Sequence, residues 1–249
     1  MRYFIQFSYF GKAYHGWQNQ PNALTVQEVL EHALSKLLKV PVWLMGAGRT
    51  DTGVHAKQMF AHFDYEGMDN IPELIYRLNS FLPTDIAVQK IFEVSTEAHA
   101  RFHATSRTYA YYISKTKNPF CVDSAYFVKQ ELDIQQMNSA AQLLLGKQDF
   151  ECFSKSKTDV FTTICDVRVA RWDEKEDMFT FTITADRFLR NMVRAIVGTL
   201  LNVGAGKYPQ DYVNSILKSK DRTRAGASVP AKGLYLTSIV YPNTILKNG

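Results

Sequence analysis

The chain has 249 residues, 46% of them hydrophobic and 13% aromatic, so it is long enough to bury a large core as one big domain or two small ones. Its net charge of +5 suits a polyanionic partner, although many proteins without such a partner share this balance. The chain starts without a signal-peptide pattern, and no apolar run approaches the roughly 18 residues of a membrane span. These features exclude a membrane-spanning helix and lead us to expect a globular cytoplasmic protein.

The first half of the chain predicts the order strand, helix, strand, strand, helix, strand. Thr25 and Glu28 form a capping box that opens the first helix, whose apolar residues fall on one stripe. The predicted strands are 2–9, about 42–47, about 57–65 and 86–91, and the second helix begins near Pro72. This order is that of a ferredoxin-like, split βαβ unit.

From residue 106 a similar order begins again. Strands are predicted at 107–113, 165–172, 179–185 and about 234–241, with helices after Asp133, at 188–203 and after Pro209. The segments 165–172 and 179–185 are expected to pair as a hairpin. An exposed loop is predicted at 155–163, which is rich in Lys, Ser and Thr. We therefore predict two related α+β domains, 1–104 and 105–249.

The most informative segment is Gly48 to Ala56, which places Asp51 between two glycines with Arg49 and His55 close by. A short buried strand is predicted before it at 40–45, and strand alternation resumes at 59–63. Asp51 is therefore expected on a strand-to-strand loop, where catalytic and binding groups concentrate. The alternative is a turn aspartate that bonds its own backbone.

Seven ordered segments make this chain similar to the tRNA pseudouridine synthase A family. They are Tyr14–Gln18, Thr25–Gln27, Gly48–Ala56, Ala100–Ala104, Arg107–Tyr111, Phe188–Gly198 and Lys232–Leu236. The resemblance covers essentially the whole chain. The sequence departs from the family pattern at Asn191, where a histidine is usual, at Ala195, where an asparagine is usual, and at 10–12, where Phe-Gly-Lys replaces Asp-Gly-Thr.

The resemblance implies two ferredoxin-like (RNP-like) halves joined through a largely antiparallel sheet, with a central catalytic cleft. It implies isomerisation of uridines 38, 39 and 40 in the anticodon stem-loop of tRNA by a homodimer. This reaction breaks a C–N glycosidic bond, turns the bound uracil, and makes a C–C bond to the same sugar carbon. No redox change occurs, so no cofactor is expected.

The reaction needs an ionised carboxylate beside the anomeric carbon, and Asp51 is the candidate. Attack on the sugar, attack on the base and assistance to an elimination all remain open. Because a carboxylate in a dry cleft tends to become neutral, a paired cation is needed. By resemblance Arg194 provides it, and a guanidinium suits that role because it stays charged and binds carboxylates bidentately. Tyr109 is the residue that, by resemblance, stacks on the target uracil.

Further basic residues are candidates for substrate binding. They are Arg49, His55, Arg101, Arg107, Arg187 and Arg190. Arg187, Arg190 and Arg194 are expected on the polar side of one helix that starts at Phe188, where Arg187 and Arg190 could equally be solvated. His55 could equally be structural, and a later basic run at 218–224 could equally be a solvated helix end.

Neither a metal site nor a disulfide framework is indicated. Cys121, Cys152 and Cys165 are odd in number and widely spaced, without a Cys-x-x-Cys or His-x-x-x-His pair. The rival to catalysis is an inactive tRNA-binding protein or chaperone, which the loss of Asp51, Tyr109 or Arg194 would have favoured. A glycoside hydrolase normally needs two carboxylates, and after Asp51 the next acidic residue is Asp64.

Overall fold

The computed structural model describes residues 1–155 and 161–246. Within them lie β1 (Arg2–Tyr9), α1 (Val26–Leu38), β2 (Met45–Gly46), β3 (His55–Asp64), α2 (Ile71–Phe81), β4 (Ile86–Val94), β5 (Ser106–Ser114), β6 (Tyr126–Phe127), α3 (Ile134–Gln142), β7 (Gly146–Asp149), β8 (Ile164–Lys175), β9 (Met178–Ala185), α4 (Met192–Gly204), α5 (Tyr212–Ser219) and β10 (Leu234–Val240). The fold is a mixture of helices and largely antiparallel strands, as predicted. The centre of the predicted loop at 155–163 lies outside the described residues.

The first compact unit comprises Met1–Thr105 and Leu236–Gly249. In it β1 pairs antiparallel with both β3 and β4, and β10 lies next to β3. The C-terminal segment joins this unit through hydrogen bonds: Ile239 N–H donates to Gln58 Oε1 at 2.8 Å, and Ser95 N–H donates to the Ile245 carbonyl at 3.0 Å. The predicted division at 104/105 would instead leave this segment in the second domain.

Helix α1 begins where the sequence predicts. Thr25 is its N-cap, and the Thr25 side chain accepts a hydrogen bond from Glu28 N–H at 3.3 Å. That bond satisfies one of the backbone donors left unpaired at a helix start. Its buried face, which includes Leu30 and Leu34, covers the core of the first unit.

The second unit comprises Ser106–Tyr235. Its strands follow the order β5-β9-β8-β7, each pair antiparallel, and β6 runs parallel to β5. The predicted hairpin is confirmed, because β8 pairs with β9 in a register that sets Trp172 opposite Phe181. The predicted cap of α3 is also confirmed, since the Asp133 carboxylate accepts hydrogen bonds from the N–H groups of residues 135 and 136.

The strand predicted at 40–45 is wrong. Only Met45–Gly46 pairs with β3. Val42 and Leu44 are buried in alternation with exposed neighbours, but their N–H groups donate to the side chains of Ser35 (2.9 Å) and Glu31 (2.7 Å) on α1. Because helix side chains take the place of a neighbouring strand, the segment has the alternation of a strand without its ladder.

The helix predicted from residue 188 begins later. Helix α4 starts at Met192, and its N-cap Asn191 has a left-handed backbone with φ 66°. Arg187 and Arg190 therefore precede the helix, and the expectation that they share a helical face with Arg194 is wrong. Among residues 1–155 and 161–246, no helix has the length and apolarity to cross a membrane.

Candidate active site

Asp51 lies on the loop between β2 and β3, as predicted, and is half-buried. Its carbonyl accepts a hydrogen bond from Val54 N–H at 3.1 Å, which closes a tight turn. Gly53 has φ 76° in this turn, a conformation that glycine adopts without strain. The turn directs the chain straight into β3.

A second segment, residues 9–17, braces this loop mainly through the backbone. Trp17 N–H donates to the Thr50 carbonyl at 3.4 Å, and Gly53 N–H donates to the Tyr14 carbonyl at 3.3 Å. The hydroxyl groups of Tyr9 and Thr50 are 2.8 Å apart. These bonds hold the residues on both sides of Asp51, so the aspartate has a defined direction.

Gly16 makes the close approach of the two segments possible. Its φ is 86°, and a Cβ atom there would lie 2.2 Å from the Thr50 carbonyl oxygen. The Tyr14–Gln18 segment is one of those that resemble the family, but its residue types alone predict no role for it. A glycine between two aromatic residues that become buried was the signal for such a contact.

His55 closes the loop from inside the protein. It is 1% exposed, its Nδ1 accepts a hydrogen bond from Gly11 N–H at 2.9 Å, and its ring stacks on Phe10 at 4.1 Å between centroids. An Nδ1 that accepts a hydrogen bond carries no proton, so in this arrangement the ring is the neutral tautomer with its proton on Nε2. These contacts give His55 a structural part in the loop, and its contact with substrate stays a prediction.

Tyr109 lies on β5 opposite Ile183 of β9, in the second unit. It is half-buried, and its ring meets Phe188 edge to face with centroids 5.1 Å apart. Its neighbour on the strand, Tyr111, is fully buried and donates its hydroxyl to the Pro230 carbonyl at 2.7 Å. Burial raises the pKa of Tyr111 far above its ordinary value. Of the two tyrosines, Tyr111 is thus core and Tyr109 is the accessible ring.

Arg194 lies in the first turn of α4 and is half-buried. Its Nε donates to the Val229 carbonyl at 2.7 Å, and Val229 N–H donates back to the Arg194 carbonyl at 3.2 Å. This segment approaches α4 closely because Gly198 has no side chain: a Cβ there would lie 1.9 Å from the Ala227 carbonyl oxygen. The Nε of the guanidinium is therefore bound to the backbone of its own unit.

The other candidate binding residues are distributed over both units. Arg49, Arg101, Arg187 and Arg190 are exposed, whereas Arg107 is half-buried and donates from Nη1 to the Asp186 carbonyl at 2.8 Å. Asp51, Arg49, His55 and Arg101 belong to the first unit, and Tyr109, Arg107, Arg187, Arg190 and Arg194 belong to the second.

The cysteines are unpaired thiols. Burial raises the pKa of both Cys152 and Cys165 to about 12, while Cys121 is half-exposed. In the described part of the chain, no group of three or more His, Cys, Asp or Glu side chains is arranged to hold a metal ion.

Comparison with known proteins identifies the family. The family model described as tRNA pseudouridine synthase matches residues 5–103 and 140–242. The chain is 50% identical to tRNA pseudouridine synthase A of Parabacteroides distasonis over 98% of this chain and 97% of that protein. The chain belongs to the tRNA pseudouridine synthase family. It is also 49% identical to the Bacteroides fragilis protein of that name, and 44% identical to the one from Thermoanaerobacter pseudethanolicus, over at least 95% of each chain.

Membership of this family supports interpreting the loop at 48–56, which residues 9–17 hold in place, as the candidate catalytic loop. Both segments of the bracing, residues 9–17 and 48–56, fall within the first stretch matched by the family model. Tyr109 lies outside both matched stretches, whereas Arg194 lies within the second. The relatives therefore support the chemistry of the chain as a whole.

Proposed function

We propose that this protein isomerises uridine to pseudouridine in tRNA, at positions 38, 39 and 40 of the anticodon stem-loop. Near full-length similarity to proteins named tRNA pseudouridine synthase A carries this proposal. The braced loop supports it, because a catalytic carboxylate must be held within a small distance of its target. No atom is gained or lost overall, so the reaction needs no cofactor.

Asp51 is the proposed nucleophile. As the bond between N1 of uracil and the sugar carbon breaks, the Asp51 carboxylate bonds to that carbon. The carboxylate leaves when C5 of the turned base bonds to the same carbon. The proton on C5 is then removed and N1 regains one, so the balance closes within the base. The bracing of Thr50 and Gly53 keeps the carboxylate directed while the base turns.

Arg194 and Tyr109 complete the proposed catalytic group. Arg194 would keep Asp51 ionised. An end-on bidentate contact with a carboxylate uses the two terminal nitrogens, Nη1 and Nη2, and does not need the Nε, which donates a hydrogen bond to the Val229 carbonyl. Tyr109 would stack on uracil and take the C5 proton, since stacking on an accessible ring holds a flipped base with roughly 1–3 kcal/mol.

The remaining assignments follow from the same resemblance. Arg49, Arg101, Arg107, Arg187 and Arg190 would contact phosphates of the tRNA, and His55 would support the loop from which Arg49 projects. The protein would act as a cytoplasmic homodimer. Each chain would fold as two ferredoxin-like halves within a largely antiparallel sheet, with residues 236–249 in the first half and not, as the division at 104/105 has it, in the second.

The proposal is tested by incubating purified protein with unmodified tRNA and mapping pseudouridine by carbodiimide-dependent primer stops. Asp51→Asn should abolish product while tRNA binding stays nearly intact, because affinity comes mainly from phosphate contacts. Asp64→Asn is the matched control: it removes an exposed carboxylate of the same unit that is paired with Arg2, 2.8 Å from Nε to Oδ1, and it should keep full activity.

Three results would contradict the proposal. Product from Asp51→Asn above a tenth of the wild-type level would remove Asp51 from its role. Wild-type protein that binds tRNA without making pseudouridine would favour the inactive RNA-binding protein instead. Loss of activity in Asp64→Asn would indicate a two-carboxylate mechanism.

A further inference from the structure

A short turn in the first unit, residues 98–103, carries an exposed aromatic ring, and its backbone makes several hydrogen bonds. Ala98 N–H donates to the Ser95 carbonyl at 2.9 Å, and His103 N–H donates to the His99 carbonyl at 3.0 Å. The Tyr241 hydroxyl donates to the Ala100 carbonyl at 2.6 Å. A surface loop with this many bonds has little freedom to change shape.

Three imidazoles supply the rest of the bonding. Nδ1 of His62 accepts from Ala100 N–H at 3.1 Å, Nδ1 of His99 accepts from Arg101 N–H at 3.1 Å, and Nδ1 of His103 accepts from His99 N–H at 2.8 Å. His62 and His99 also meet edge to face with centroids 4.6 Å apart. Each bond requires an unprotonated Nδ1, so the imidazoles act here as acceptors for the backbone rather than as charges.

The pKa values of His62 and His99 are consistent with unprotonated Nδ1 atoms. Burial, together with the positive charge of Arg2 and the neighbouring His99, lowers the pKa of His62 to about 4, against a small opposing effect of Asp64. Burial and nearby cations also lower the pKa of His99. His62 is therefore neutral at physiological pH, and the lowered pKa of His99 favours its neutral form, which keeps the acceptors of the turn.

The turn presents Phe102 to solvent. Phe102 is 72% exposed, whereas the core phenylalanines of the same unit, such as Phe4 and Phe63, are at most 2% exposed. One side of its ring lies against His99, at 4.3 Å between centroids, and the Arg101 guanidinium lies 5.5 Å from the ring centroid. A rigid exposed aromatic ring loses little entropy on binding. Together with the adjacent arginine it can bind a partner both by stacking and by pairing with an anion.

We propose that Phe102 stacks on an unpaired base of the tRNA while Arg101 contacts the adjoining phosphate, with His62 and His99 as positioning residues. This inference rests on the proposed function and names a further part of its binding surface. Proteins bind unpaired RNA by combining aromatic platforms with arginine, and sequence-tolerant stacking suits an enzyme that accepts neighbouring uridines. RNA offers a phosphate beside each unpaired base, so it matches both the ring and the adjacent guanidinium.

The first experiment compares binding of unmodified tRNA by Phe102→Leu, which keeps an apolar side chain without a ring, and Phe102→Trp, which keeps a ring. Leucine should weaken binding roughly tenfold, the effect of one stacked base, and tryptophan should restore it. Phe120→Leu is the matched control, because Phe120 is 96% exposed and belongs to the other unit. Equal affinities of Phe102→Leu and wild type, or equal losses in both leucine variants, would overturn the proposal.

Salt dependence separates the two side chains. Arg101→Gln should reduce the slope of log K against log salt by about 1, since one phosphate contact is lost, whereas Phe102→Leu should shift the line without changing its slope. A reduced slope in Phe102→Leu would mean that the ring acts only by holding Arg101. An unchanged slope in Arg101→Gln would remove the phosphate contact.

The positioning role of His99 is tested by a double mutant. His99→Ala should weaken tRNA binding, His99→Asn should recover part of it through an acceptor oxygen near the place of Nδ1, and His99→Ala combined with Phe102→Leu should be no weaker than Phe102→Leu alone. Additive losses would show that His99 does not act through Phe102. The losses should appear in KM rather than in the single-turnover rate at saturating tRNA.

These outcomes are distinct from a failure of the proposed function. Absence of pseudouridine with wild-type protein would contradict the enzymatic proposal, and the binding comparison would still show whether Phe102 contacts RNA. Normal pseudouridine formation together with unaltered binding by every variant at residues 99, 101 and 102 would overturn this inference alone.

Discussion

Lowering the pH from 7 to 5 should destabilise the folded protein by about 2 kcal/mol through His62 alone. The pKa of His62 is about 4 in the folded protein against an ordinary value of 6.5, mainly because the ring is buried. At a pH between these two values, His62 is protonated in the unfolded chain and neutral in the folded protein. Stability is therefore fully present above pH 6.5 and declines as the pH falls towards 4.

The magnitude follows from the two pKa values. The full difference corresponds to about 3 kcal/mol, and at pH 5 roughly two thirds of it is lost, because the unfolded histidine is almost fully protonated there and the folded one is not. Arg2 and His99 act in the same direction on His62, and Asp64 opposes them. The lowered pKa of His99 adds to the loss.

Urea denaturation at pH 7 and pH 5 measures this effect. His62→Asn is the comparison variant, because its side chain does not titrate and its oxygen can accept the Ala100 N–H bond. The variant should lose about 2 kcal/mol less than wild type between the two pH values, whatever its stability at pH 7. If both proteins lose the same amount, the burial of His62 does not control its protonation, and the reasoning is refuted.

Three further changes test the proposed active site. Gly16→Ala should reduce turnover about a hundredfold while the fold survives, because its Cβ would push the Thr50 carbonyl and misplace Asp51; near wild-type single-turnover rates with a normal circular dichroism spectrum would contradict the bracing. Arg194→Lys should be nearly as damaging as Arg194→Met in the same assay, since an ammonium cannot reproduce a bidentate fork, and substantial turnover by the lysine variant would argue against the ion pair. Tyr109→Phe should bind tRNA normally and stall before product, seen as an intermediate on a denaturing gel, whereas full conversion at the wild-type rate would leave the ring as a platform only.

Local signals in the sequence were sufficient where a side chain bonds its own neighbours. The caps of α1 and α3 each join a side-chain oxygen to an N–H two or three residues away, so Thr25 and Asp133 could be recognised from spacing alone. The loop position of Asp51 was predictable for a similar reason, because strand alternation stops before it and resumes after it.

The errors arose where distant residues decide the structure. Alternation at 40–45 correctly predicts which residues are buried but cannot show that Glu31 and Ser35 take the N–H groups that a neighbouring strand would otherwise accept. Likewise, Phe188 and Leu189 have helical spacing with α4, yet Asn191 adopts φ 66° and donates to Ser228 Oγ at 2.6 Å. That bond joins residues 37 positions apart and fixes the start of the helix.

The candidate site shows the same limit. Resemblance pointed to Asp51, Tyr109 and Arg194, but it gave no role to Tyr9 or to the backbone of residues 11–17. Every residue has a backbone carbonyl and every residue except proline has an N–H group, so a sequence carries no signal for which of them meet. Only the close contact at Gly16 left a trace, as a glycine between aromatic residues.

Because residues 11–17 hold the Asp51 loop through their backbone, their outward side chains can be replaced without disturbing that loop. Ala13 is exposed in this segment, and a cysteine there could carry a fluorophore. Of the native thiols, only Cys121 would compete for the label and would need replacement by serine, since Cys152 and Cys165 are buried with a pKa of about 12. The segment thus offers an attachment point from which the arrival of RNA at the loop could be followed in real time.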